Sequence, residues 1–425
     1  MKKKLLCSLL LGAFVITGCN DTKVEVPTQQ PQNNTPVQPA KPDYSKLFTL
    51  VSPQGAACMV NQRVKEYTDA IYAQRENGGG TALDEDKIVD PLYADTVKIG
   101  TYKGDYDENV PVELTFSVDD SIKDETFVVR YWLEGKDDEY KEVEPVDDKV
   151  TLKNLFRSSI YEWQVISSTG KESSISQFET GDYVRFLSVG SIPNFRDNGG
   201  WMTVDGKRVK QGLVYRGFEL NDHRLSNGHS QNVNGDTDPG KDVFVKDLGI
   251  RAEIDLRSDS EADNITACAM NKSGVTASDP EFVSYTRKQI SSYHNGLKNN
   301  KTQIKEIFED YLANADEKPV YYHCYGGADR TGTIGFLLGA ILGMSYTDLI
   351  IDYEATTFSN NLKEHDRESD QYTHFPQMIA EIKSWSYYSD SKPLSQVIEQ
   401  YLVQDCGVAS TKIDKIREIM LEDID

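Results

Sequence analysis

Cys324 and Arg330 stand six positions apart in Val320-Tyr321-Tyr322-His323-Cys324-Tyr325-Gly326-Gly327-Ala328-Asp329-Arg330-Thr331-Gly332. Gly326 and Gly327, between them, allow backbone conformations that a Cβ forbids, so the N–H groups from Tyr325 to Asp329 can turn toward one anion, with the N-terminus of the next helix behind them. Such a cradle binds phosphate. Amides and a nearby cation also favour the thiolate form of cysteine, which makes Cys324 the candidate nucleophile. Arg330 supplies a planar fork that clamps two non-bridging phosphate oxygens.

A cradle of this kind works only if rigid elements aim it. Val320 to His323 is β-prone and follows Pro319, while Ile334, Leu337, Leu338, Ile341 and Leu342 repeat at helical spacing, so the sequence predicts strand, loop, helix. Ala252 to Leu256 reads as a further strand, and Lys301 to Ala313 as a helix with Ile304, Ile307, Phe308, Tyr311 and Leu312 inward. Two closing helices carry Leu394, Val397, Ile398, Tyr401 and Leu402, ended by Gly407, and then Ile413, Ile416 and Met420, capped near Thr411. Strands alternating with helices after Asp182 make this half an α/β domain.

From His323 to Thr331 the chain resembles the signature of cysteine-dependent phosphatases, His-Cys, five residues, Arg, then Ser or Thr. The Asp-Arg-Thr-Gly ending, with Asn194-Phe195-Arg196-Asp197-Asn198-Gly199-Gly200 and Ile254-Asp255-Leu256-Arg257-Ser258 upstream, is similar to the bacterial tyrosine-phosphatase family across residues 184 to 425. Rhodanese-like sulfurtransferases also set a cysteine in a loop of amides, but without the Asp-Arg-Thr-Gly continuation. The resemblance implies a cysteine-phosphatase fold, a central sheet flanked by helices, and a two-step mechanism that needs no metal or organic cofactor. Cys324 attacks phosphorus, the loop from Cys324 through Tyr325, Gly326, Gly327, Ala328 and Asp329 to Arg330 holds the oxygens, and water then hydrolyses the phosphocysteine. No Trp-Pro-Asp tripeptide occurs, so the resemblance gives Asp329 the role of general acid, with Asp255 next in line. Thr331 donates its hydroxyl to the sulfur, and His323 orients the loop rather than acting as base. Asn194, Arg196, Asp197, Asp255 and Arg257 are expected to support the loop, with substrate contact the alternative for Arg196, Asp255 and Arg257.

Relatives that act on phosphoinositides tend to carry lysine where this chain has Ala328, so phosphotyrosine-like monoesters, on a protein or a small molecule, are the expected substrates. Phosphoinositide or inositol polyphosphate hydrolysis is the alternative, as is a phosphate-binding protein with residual activity.

The N-terminal half has a different character. Lys2, Lys3 and Lys4 precede an apolar run, Leu5 to Ile16, too short to span a bilayer, and Ile16-Thr17-Gly18-Cys19 resembles a bacterial lipoprotein cleavage box. Residues 1–18 are therefore expected to be a signal peptide, Cys19 the lipidated terminus and 19–45 a Pro-rich tether. That places the protein in the bacterial cell envelope, held to a membrane by its lipid and facing periplasm or exterior. Residues 46–90 yield no assignment beyond a helical pattern from Val60 to Arg75. From 91 to 182 the period becomes two, as in Val112, Leu114, Phe116 and Val118, then Phe127, Val129, Tyr131 and Leu133, then Tyr161, Trp163 and Val165. This predicts an all-β sandwich ahead of the α/β domain. Leu155 and Tyr161 resemble the tyrosine corner of fibronectin type III domains, and the module reads as a spacer or packing unit.

Removal of the signal lysines takes the formal charge from −22 to −25, without a basic run anywhere, which argues against nucleic acid as a partner and against docking on anionic lipid surfaces. Asn232, Asn234 and Asp236 alternate within an Asn-, Gly- and Asp-rich loop over 221–243, but the glycine and glutamate of a calcium loop are missing. With no Cys-x-x-Cys or His-x-x-His spacing, no metal site is expected. Cys58, Cys268 and Cys406 are the cysteines that can pair with Cys324 in an oxidising compartment.

Overall fold

The computed structural model describes residues 42–53, 55–76, 107–220, 235–262, 264–359 and 374–424. The expected signal peptide, Cys19, almost all of the tether, and residues 221–234 of the Asn-rich loop lie outside them. Among the described residues no helix is long and apolar enough to cross a membrane.

Period-two patterning builds two sheets in the N-terminal half. One joins Phe48–Ser52, Val112–Val118 and Lys149–Leu152, all antiparallel. The other runs in the order Ala56–Ala57, Ser176–Thr180, Ile160–Ser167, Phe127–Leu133, Lys141–Val143. Their inward residues, among them Leu114, Phe116, Val129, Leu152, Trp163 and Val165, form one core. Phe48–Ser52 and Ala56–Ala57 belong to these sheets, so the β layer starts well before residue 91, in the stretch whose short edge strands carry too few residues to show a period. The helix patterned over Val60 to Arg75 forms as Gln62–Glu76. Tyr161 accepts a hydrogen bond from the Phe156 N–H at 2.9 Å.

The C-terminal half is organised by a five-stranded sheet in the order Ser284–Arg287, Ala252–Asp255, Val320–His323, Val214–Gly217, Arg196–Asp197, with the first four parallel and the last antiparallel. Each central strand is buried on both faces, the usual state of parallel strands covered by helices. Side chains alternate across the sheet. Val320, Tyr322 and Ile254 therefore point into one core, shared with the helix Asp329–Leu342, and Tyr321 into a second, with Phe195, Phe218, Phe244 and Met270. Register sets Gly217, Asp255 and His323 side by side, so three strands end level. The helix Asp329–Leu342 is buried on every side from Thr331 onward, not on one face as its apolar spacing predicts, because Tyr346–Glu354, Leu394–Gln400 and Ser410–Met420 pack around it. Lys301–Ala313 is helical throughout, α to Glu306 and wider over Ile307–Tyr311.

The two halves are tied by polar bonds. Arg185 donates to the carbonyls of Leu155 (2.8 Å) and Asn154 (2.6 Å) and pairs with Asp197. Asn154 and Ser188 exchange two further bonds, at 2.7 and 3.0 Å. Asp107 accepts from the Asn194 N–H and the Ser359 hydroxyl.

Candidate active site

Where the three strands end, the chain leaves Val320–His323 for the Gly-rich turn and enters the helix at Asp329. Four successive carbonyls of the turn are tied to the scaffold around it. Cys324 O accepts from His323 Nδ1 at 2.9 Å, Tyr325 O from the Glu219 N–H at 3.2 Å, Gly326 O from Asn194 Nδ2 at 3.0 Å, and Gly327 O from Arg216 Nη2 at 2.9 Å. In a trans peptide the C=O and the next N–H point in opposite directions. Holding these carbonyls against the scaffold therefore turns the N–H groups of Tyr325, Gly326, Gly327 and Ala328 to the other, concave side, where Cys324 opens the loop. Gly327 is obligatory here: its φ is +71°, and a Cβ would lie 2.4 Å from the Gly217 carbonyl oxygen.

The supports are themselves buried and charged. Arg216 donates to Asp352 Oδ2 at 2.7 Å and Arg196 to Asp352 Oδ1 at 3.1 Å, both guanidinium groups being fully buried. Burial alone would raise the Asp352 carboxyl, but these two cations hold it below the usual carboxylate range. Arg196 also donates to Asn194 Oδ1, fixing the amide that holds Gly326, and to Thr356 Oγ1 at 3.0 Å. Asp197 pairs with Arg185 and accepts from the Gly199 and Gly212 N–H groups, both at 2.7 Å. Arg257 is bound by Asp255, from Nη2 at 2.7 Å, and by Glu219. Against a burial penalty, His323 and Arg257 bring the Asp255 carboxyl down to about 2, which leaves it ionised and unsuited to donate a proton. Asn194, Arg196, Asp197, Asp255 and Arg257 thus have protein partners, and Asn194 bonds the loop directly.

His323, fully buried, has both ring nitrogens engaged, Nδ1 with Cys324 O and Nε2 with Glu253 Oε1, each at 2.9 Å. Cys324 is 1% exposed at the base of the cradle. Arg330 meets Glu261 end-on, Nη1 to Oε2 at 2.6 Å and Nη2 to Oε1 at 2.9 Å. An arginine has five N–H donors, so this grip leaves the side edge of the fork, Nε–H and one Nη2–H, for a phosphate. The Arg330 bonds hold the Glu261 carboxyl down at about 2. Asp329 is the first residue of the helix, and its Oδ1 accepts from Tyr293 Oη at 2.7 Å. The Thr331 hydroxyl is buried with no hydrogen-bond partner among the described residues, and so makes no bond to the Cys324 sulfur in this resting state. Cys58, Cys268, Cys324 and Cys406 are all free thiols.

Arg216, Asp352, Glu219, Glu253, Glu261, Tyr293 and Asp107 were not legible as site residues. The available signal was a charge set in an apolar element, Arg216 in Val214–Gly217 and Asp352 among Leu349, Ile350, Ile351 and Tyr353, since a charge placed there demands a buried partner. A cavity of about 700 Å³ lined by Tyr131, Phe156, Tyr161, Arg185, Tyr215 and Leu248 includes no residue of the loop, so the phosphate chemistry is not located there.

Residues 187–422 match the model of the tyrosine phosphatase family, more than half of the chain. The chain belongs to this family. A Cupriavidus necator protein carrying a tyrosine-protein phosphatase name is 26% identical over 181 residues, 39% of this chain and 61% of its own length. A tyrosine-protein phosphatase of Nostoc commune is 26% identical over 147 residues, 32% of this chain and 49% of its own. The chain thus spans about half to three fifths of the length of these relatives. A crystal structure of Pseudomonas aeruginosa TpbA in complex with pTyr aligns at 12% identity and a TM-score of 0.25, over 42% of this chain and 96% of that one. A likeness at that level adds nothing to the family match.

Proposed function

We propose that the protein hydrolyses phosphomonoesters of the phosphotyrosine type through a phosphocysteine. The observation that carries this is the set of four loop carbonyls tied to the scaffold, which aims consecutive amides at one point above Cys324. In the first step the Cys324 thiolate attacks phosphorus, the bond to the leaving oxygen breaks, and Asp329 gives that oxygen its proton. In the second, water attacks phosphorus, Asp329 takes the proton, and the P–S bond breaks to return the thiolate and release inorganic phosphate. The unpartnered hydroxyl of Thr331 is available to donate to the departing sulfur. Loop amides and Arg330 act on charge that spreads over the equatorial oxygens in both transition states, where preorganised donors are most effective.

Ala328 on the loop favours a monoester with one dianionic group over phosphoinositides or inositol polyphosphates, and Ala328→Lys is expected to gain on the latter. The β layer ahead of the catalytic half is read as a fibronectin type III-like packing module, supported by the Tyr161 hydrogen bond. The lipobox-like Ile16-Thr17-Gly18-Cys19 supports lipidation of Cys19 and a place on the cell envelope.

Turnover of an activated aryl phosphate by the wild type, Cys324→Ser and Asp329→Asn tests the chemistry. Cys324→Ser is expected to be inactive. Asp329→Asn should cripple hydrolysis of tyrosyl phosphate while sparing the activated ester, whose leaving group needs no proton. Wild-type turnover surviving in Cys324→Ser would end the proposal, and equal losses on both esters in folded Asp329→Asn would remove Asp329 as the acid.

A further inference from the structure

His323 lies between two acceptors. The Cys324 carbonyl, 2.9 Å from Nδ1, can only accept, so Nδ1 carries a proton. Nε2 faces Glu253 Oε1 at 2.9 Å, and Glu253 is itself fully buried, so the ring sits between a carbonyl and a carboxyl oxygen, each placed to accept from it. Strand alternation explains the meeting, since Glu253 and Asp255 share a sheet face with Tyr321 and His323 in register.

From these contacts we infer that Glu253 is a positioning residue, which keeps His323 an imidazolium and through it holds both the Cys324 carbonyl and the neighbouring thiolate. The inference rests on Cys324 being the nucleophile. The groups around the ring agree with a cation there. On its own strand stand Cys324 and Tyr321, whose ring stacks on it at 5.5 Å with its hydroxyl given to Phe218 O. On the adjacent strand and just beyond it stand Glu253, Asp255 and Arg257; Glu219 reaches in through Arg257, Tyr285 donates to Asp255 at 2.9 Å and accepts from Arg287, and Cys268 lies buried in the same core as Tyr321. Glu219, Glu253 and Asp255 are three fully buried acidic side chains, Arg257 pairs with Glu219 and Asp255, and a cation on His323 gives Glu253 a partner of its own. Burial by itself pulls an imidazole down, yet Asp255 and Glu253 hold His323 above its ordinary value.

The full chain, labelled with ¹⁵N at its six histidines, tests this without any substrate. His323, assigned by loss of its signals in His323→Gln, is expected to show both ring nitrogens protonated at pH 7.5; a neutral ring there overturns the inference with no variant needing to fold. In Glu253→Gln, which keeps the shape but not the charge, the ring should be neutral at that pH, and alkylation of Cys324 by iodoacetamide at pH 6 should slow about tenfold. A still-charged ring, or unchanged alkylation, in that variant overturns it too. None of these readouts uses phosphate hydrolysis, so a failed phosphatase assay and a failed inference are told apart.

Discussion

Asp352 joins Arg196 and Arg216, and Arg216 in turn holds the Gly327 carbonyl. Asp352→Asn keeps nearly the same volume but leaves two fully buried guanidinium groups without their counter-ion. Breaking a buried pair from one side costs about 3–5 kcal/mol, and that loss should appear in urea unfolding. The catalytic loss is separate. With Arg216 no longer fixed, the Gly327–Ala328 peptide can rotate, and one misaligned donor in such a cradle lowers turnover about 100-fold, or ~2.7 kcal/mol. Initial rates on an aryl phosphate, corrected for folded protein, measure this, and inhibition by vanadate reports the cradle without any leaving group. A variant within ~1 kcal/mol of wild type in stability, with unchanged turnover and vanadate affinity, would refute the chain from Asp352 through Arg216 to the loop.

Gly327→Ala places a Cβ 2.4 Å from a backbone oxygen at a φ of +71°, so vanadate binding and aryl phosphate turnover should fall at least about 100-fold; near-normal binding would mean that the turn is looser than described. Glu261→Gln removes the charge that steadies Arg330, and competitive inhibition by inorganic phosphate should weaken about tenfold, or ~1.4 kcal/mol, whereas tighter inhibition would show that Glu261 competes with phosphate instead. Asp255 is held at about 2 against an ordinary 3.8. Its folded value being the lower one, it contributes about 2 kcal/mol of stability above pH 4 that is lost as pH falls toward 2. The acid-unfolding curve of Asp255→Asn should lose that limb, and an unchanged curve would place the acid sensitivity elsewhere.

Much of the site can be read from the chain because the cradle is local: Cys324, the glycines and Arg330 are neighbours, and turn chemistry acts over a few residues. The strand before them and the helix after them were equally readable from period. Arg216 and Asp352 were not, because 136 positions separate them and a charge in an apolar strand announces that it needs a partner without saying which. Arg196 and Arg257 show the complementary limit. Their residue type suits phosphate, and only the fold reveals that Asp352 in one case, and Asp255 and Glu219 in the other, have taken their donors. At the N-terminus, Ala56–Ala57 joins a sheet by pairing with Glu179 and Thr180, a contact that two alanines cannot signal.

The family match begins at residue 187, yet Arg185 and Asp107, which secure Asp197 and Asn194, precede it. Asn194 is what holds the Gly326 carbonyl. The matched catalytic segment is therefore not a portable cassette: excised at that border, it would leave behind the Asp107 carboxylate that accepts from the Asn194 N–H and the Arg185 guanidinium that pairs with Asp197. Any chain that carries the matched segment must therefore also carry those few polar bonds, or replace them.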